Sequence, residues 1–148
     1  MYDKLKKRPL ILEDMRISRS YIGGALLDKW KGISSDSESH MCEEWHMSVV
    51  EVQNVDSKPG EGLSKTKLPD GSFATLRDIV ATDPVAFLGK DHVEKIGSEI
   101  GLGLRTGDSV VRLSLQAHPR PEDAKRFLNF PRGKSEAWYI IETRRGLN

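Results

Sequence analysis

Polar residues stand on alternate positions in two stretches, along residues 109–118 and at Lys134 and Glu136 of residues 134–142. In the first, Val111, Leu113 and Leu115 fall on one side, while Arg112, Ser114, Gln116 and His118 fall on the other. In the second, Lys134 and Glu136 share one side. Both patterns predict strands. Earlier in the chain, residues 9–12 and 15–17 read as short strands, Gly23-Gly24 as a tight turn or close backbone approach, and residues 32–40 as a surface loop. Residues 44–53 alternate like a strand, and residues 56–71 read as a loop punctuated by Lys58-Pro59-Gly60 and Pro69-Asp70-Gly71. Thr75 is placed to cap a helix whose Leu76, Ile79 and Val80 share a face. Asp83-Pro84 predicts the cap and first residue of a second short helix that Gly89 stops. Residues 90–107 read as a glycine-punctuated connection, and Glu122-Asp123 opens a short helix through Phe127 and Leu128. The sum predicts a mainly β domain, a sandwich or partial barrel with a few short helices. The even-numbered side chains of the two polar-faced strands would meet in its cavity.

Composition narrows the function. The 148 residues suffice for one domain, with 37% hydrophobic and 30% charged residues. Twenty-three basic and 22 acidic side chains leave a net charge of +1, so no broad field favours nucleic acid. The basic run Lys4 to Arg8 has no aromatic or basic continuation, and residues 1–8 read as a solvated tail ahead of a domain over 9–148. No run is long enough for a membrane span or a signal-peptide core, and Cys42 is the one cysteine. A cytoplasmic protein is the expectation.

The chemistry concentrates on the two polar-faced strands. Side chains two apart on a strand point the same way, roughly 6.5–7 Å apart. Gln116 and His118 can therefore converge on one small ion, and Glu136 can add a carboxylate. An amide oxygen, an imidazole and a carboxylate suit zinc or another divalent first-row metal. The plainer alternative is a His at a strand end satisfied by water or backbone. His40, His46 and His92 sit where histidines are usually solvated, Gly101-Leu102-Gly103 lacks the spacing of a dinucleotide loop, and Trp45 and Trp138 read as core residues.

These features, in this order, resemble the type I mannose-6-phosphate isomerases, zinc-dependent sugar-phosphate isomerases of the cupin (jelly-roll) fold. The resemblance spans about residues 9 to 145. It is carried by Leu113-Ser114-Leu115-Gln116-Ala117-His118-Pro119, similar to the family's serine-x-glutamine-x-histidine-proline strand, and by Lys134-Ser135-Glu136-Ala137-Trp138-Tyr139-Ile140, similar to its lysine-x-glutamate-x-tryptophan-tyrosine strand. The Gly23-Gly24 turn, Glu43-Glu44-Trp45, Thr75-Leu76 with Pro84 and Gly89, and Arg105 with Asp108 support it. The resemblance implies that Gln116, His118 and Glu136 are three of four zinc ligands. It implies that Ser114 and Lys134 line the substrate pocket and that Glu43 lies near its rim.

Departures are Ile22, where the family carries a Trp before the double glycine, and Pro119-Arg120-Pro121, where acidic residues generally follow the proline. The family's fourth ligand, a histidine, and its catalytic arginine fall beyond Asn148, which reads as an N-terminal part of the usual enzyme or a short relative. The implied activity is interconversion of mannose 6-phosphate and fructose 6-phosphate, with zinc as cofactor, a sugar phosphate as partner and no residue assignable as general acid or base. The alternative is a non-catalytic sugar-binding or regulatory module that has lost half the site. The missing C-terminal half would come from a longer native chain, from a second polypeptide or from the mate of a homodimer. The 148 residues alone are expected to show little or no turnover, since only one side of the electrostatic clamp is encoded.

Overall fold

The computed structural model describes residues 2–130, 132–144 and 146. The chain divides into two compact units, Met1–Ser109 and Val110–Asn148.

In the first unit, three strands form an antiparallel sheet in the order β1 (Arg16–Ile17), β2 (Glu43–Met47), β5 (Leu104–Gly107). Arg16 pairs with Glu44 and Ile17 with Glu43, while Glu43, Glu44 and Trp45 face Gly107, Thr106 and Arg105. His46 is then the extra residue of a bulge, after which Met47 faces Leu104. A second, two-stranded sheet pairs β3 (Lys65–Lys67) with β4 (Phe73–Thr75). Residues 11–13 run beside β3, where Glu13 N–H donates to Lys65 O at 2.8 Å and Thr66 Oγ1 donates to Ile11 O at 2.6 Å.

The helices follow their sequence punctuation. Thr75 Oγ1 accepts from Asp78 N–H at 3.0 Å and opens α2 (Leu76–Thr82), whose Leu76, Ile79 and Val80 are buried. Asp83 Oδ1 accepts from Ala86 N–H at 3.1 Å and opens α3 (Pro84–Leu88). Gly89, at φ 86°, ends it in a conformation that costs a glycine little. The preceding α1 (Ala25–Trp30) starts at Gly24, at φ 105°. One core cluster joins Leu5, Leu68 and Ile79, and another joins Ile17, Trp45 and Val52.

Several expectations are corrected here. Residues 2–7 are not a solvated tail: Tyr2–Lys7 forms a 3-10 helix with Leu5 fully buried, and Lys6 Nζ lies 2.9 Å from Asp83 Oδ2. The segment reads as polar because five of its neighbours are, yet one leucine suffices to dock a single turn. Residues 90–107 contain α4 (Lys90–Ile96) and β5 rather than a bare connection. The strand expected over 44–53 stops at Met47.

The largest correction concerns the fold class. The cupin-type sandwich or barrel is absent among the described residues, whose strands make only the sheets of three and two. Residues 112–120 and 134–142 are assigned to neither helix nor strand. Alternation makes a stretch able to be a strand, but a strand exists only where another supplies its ladder. The second unit forms α5 (Pro121–Asp123), which continues as a π-type turn over Ala124–Leu128 and ends at Asn129, φ 55°. Ala124 is its one buried apolar side chain among the described residues. A segment below about 40 residues rarely sustains a core without staples.

Candidate functional site

The second unit holds most of the residues singled out from sequence. Pro119 follows His118, and the chain runs through α5 and the π-type turn before returning at Gly133. Gly133 packs directly on the backbone of Pro119: a Cβ added there would lie 2.4 Å from Pro119 O and 3.0 Å from Pro121 N. Only a residue without a side chain allows that approach. It brings the stretch after Gly133 against the stretch before Pro119.

The consequence is a three-residue contact. His118 Nε2 lies 2.8 Å from Glu136 Oε2, and Lys134 Nζ lies 3.1 Å from Glu136 Oε1. The Glu136 side chain is only 17% exposed and the His118 side chain 27%, although the backbone around both is open to solvent. With Glu136 accepting, Nε2 carries the proton of this hydrogen bond.

Gln116 and Ser114 are exposed and stand outside this contact. The structure brings His118, Glu136 and Lys134 together, while the common strand face expected to deliver Gln116 does not form. Among the described residues no group of three or more His, Cys, Asp or Glu gathers at one point, so a three-donor set here must draw on Gln116. The chemistry of the pair itself fits a first-row metal. Two ligands of a tetrahedral zinc stand about 3.3 Å apart at ordinary bond lengths. The 2.8 Å between Nε2 and Oε2 needs only a slight opening and loss of the Nε2 proton to reach that. Trp138, expected in the core, is 62% exposed.

Glu43 belongs to the first unit, on β2, where it is buried beside an equally buried neighbour, Glu44. A strand that buries two consecutive carboxylates must supply partners on both faces. For Glu43, Tyr21 Oη donates to Oε1 at 2.6 Å, Trp45 Nε1 donates to Oε2 at 2.7 Å, and Arg19 Nε stands 3.3 Å from Oε1. Arg105 Nη1 is 3.7 Å from Oε2, and its guanidinium carbon is 5.8 Å from the Trp45 ring centre. Burial, then the hydrogen bond to Glu43, push the Tyr21 hydroxyl pKa well above its ordinary value.

Glu44 has its own set. Its Oε1 accepts from Met15 N–H at 2.9 Å, and Oε2 stands 3.1 Å from Arg16 Nε and 2.9 Å from Lys31 Nζ. Asp28 takes the other end of Arg16 at 2.6 Å, and Asp14 shares Lys31 at 2.9 Å. These groups border a cavity of about 380 Å³ whose cations are already paired by its acids. Tyr21, Arg16 and Lys31 were not singled out from sequence. The signal for them was Glu43-Glu44 directly before a Trp in a strand, a pattern that demands cations from elsewhere.

Comparison with family models, with curated protein sequences and with solved structures gives no match. Among the described residues, no helix is long and apolar enough to cross a membrane.

Proposed function

We propose that this chain carries zinc-binding residues of an aldose–ketose isomerase acting on a hexose 6-phosphate, of the mannose-6-phosphate isomerase type. The observation that supports the reading is the His118–Glu136–Lys134 contact, with the imidazole 2.8 Å and the ammonium 3.1 Å from the same carboxylate. Three of the motif residues that carry the resemblance to that family, His118, Lys134 and Glu136, meet across a helical excursion that would otherwise separate them.

His118 and Glu136 hold the ion, and Gln116, two residues from His118, completes the donor set by turning inward. When bound, zinc supplies a Lewis acid that polarises the sugar oxygens as a proton moves between adjacent carbons. The Lys134 ammonium beside Glu136 faces the developing negative charge on those oxygens, or the substrate phosphate. Ser114 offers a hydroxyl to the same substrate. Glu43, tied by Tyr21 and Trp45, acts as a fixed carboxylate of the first unit and not as a mobile base. A cytoplasmic setting suits a sugar-phosphate substrate.

The test is zinc titration of the purified chain against a chromophoric chelator, with and without mannose 6-phosphate. One zinc per chain, tightened by the sugar phosphate and lost in His118→Ala and Glu136→Gln, is the expected result. No zinc bound, or binding indifferent to both substitutions, overturns the reading. Where zinc binds, conversion of mannose 6-phosphate to fructose 6-phosphate that disappears in the same variants extends it to catalysis.

A further inference from the structure

We infer that residues 134–142 form the symmetric contact between two copies of this chain, pairing antiparallel about a two-fold axis through Trp138. The segment reads Lys-Ser-Glu-Ala-Trp-Tyr-Ile-Ile-Glu, and it leaves Trp138 62%, Tyr139 89%, Ile140 63% and Ile141 53% exposed. Four consecutive large apolar residues of high β propensity, assigned to no sheet, form the kind of stretch that recruits a partner strand.

Charge complementarity decides which partner. A two-fold axis relating antiparallel strands passes through a residue and its own copy, so the permitted registers differ by steps of two. Centred on Trp138, the pairing sets Lys134 opposite Glu142 at both ends, Glu136 opposite Ile140, and the two Trp138 rings beside each other. Shifting the register one way sets Glu136 opposite Glu142, a like-charge pair. Shifting it the other way leaves Lys134 facing Ile140 and sets Glu142 opposite Arg132, which precedes Gly133 and lies outside the segment. The segment is therefore complementary to itself in one register, with opposite charges at its ends and aromatic rings at its centre. An isologous contact pairs one edge of the segment with the same edge of its copy. The pairing is independent of the zinc reading in its apolar centre, Trp138 to Ile141, and shares Lys134 with it.

Sedimentation of the full chain over a range of concentrations tests it. A monomer–dimer equilibrium is expected, with no larger species. Glu142→Lys places lysine opposite lysine twice and is expected to weaken the dimer about tenfold, and Lys134→Glu/Glu142→Lys to restore it. Trp138→Cys treated with diamide is expected to form a disulfide-linked dimer, while Val55→Cys, at a site 102% exposed in the first unit, does not. The native Cys42 is buried and does not interfere. A monomer at every concentration assigns the strand to another occupant and overturns the proposal. So does an open series of larger species, or equal crosslinking at both cysteines.

Discussion

Asp108 holds Gly24 across the fold of the first unit: its Oδ2 accepts from Gly24 N–H at 2.8 Å and, with the same oxygen, from Leu26 N–H at 3.0 Å. The carboxylate is buried and satisfies two of the donors that open α1. Beside it, a Cβ added at Gly23 would lie 2.0 Å from Asp108 O. The double glycine and an aspartate some eighty residues later are one structural unit. Asp108→Ala is expected to cost about 2–3 kcal/mol, because two N–H groups lose a charged acceptor. Asp108→Asn should cost less, since an amide oxygen still accepts. Urea unfolding of the two variants checks the order.

The buried carboxylate of Glu44 sets a second expectation. Its side chain is 3% exposed and faces both Arg16 and Lys31. Removing it leaves Arg16 with Asp28 and Lys31 with Asp14, while Met15 N–H loses its acceptor. Glu44→Ala should lose about 1–3 kcal/mol. The loss should persist in high salt, because screening acts weakly on buried pairs. Thermal unfolding at two ionic strengths measures both.

Tyr21 makes stability depend on alkaline pH. Its folded pKa is raised above the unfolded one, so the folded chain retains a proton that the unfolded chain releases. Stability from this group is fully present below pH about 10 and falls as pH rises further. Tyr21→Phe should flatten that decline, at the cost of the hydrogen bond to Glu43. Unfolding midpoints between neutral and strongly alkaline pH test the sign.

Gly133 controls the candidate metal site without touching metal. Gly133→Ala must push the backbone away from Pro119 and so part His118 from Glu136. Zinc affinity is expected to fall about tenfold or more, with the first unit unaffected. Chelator competition paired with near-ultraviolet circular dichroism separates a local loss from unfolding.

Local chemistry decided much by itself. Thr75 and Asp83 cap their helices, Gly89 stops one, and Gly23 makes its close approach, all from interactions within a few residues or from the absence of a side chain. The nearness of His118, Lys134 and Glu136 was legible because their residue types and order point to one ion. Long-range partners decided the rest. Residues 109–118 alternate and residues 134–142 are rich in strand-forming side chains, yet neither pattern carries information on which strand supplies the ladder, and none of the described residues does. Glu44 shows the same physics in reverse. No lysine or arginine lies within five residues of it, so Arg16 and Lys31, drawn from β1 and the end of α1, determine that it can be buried at all.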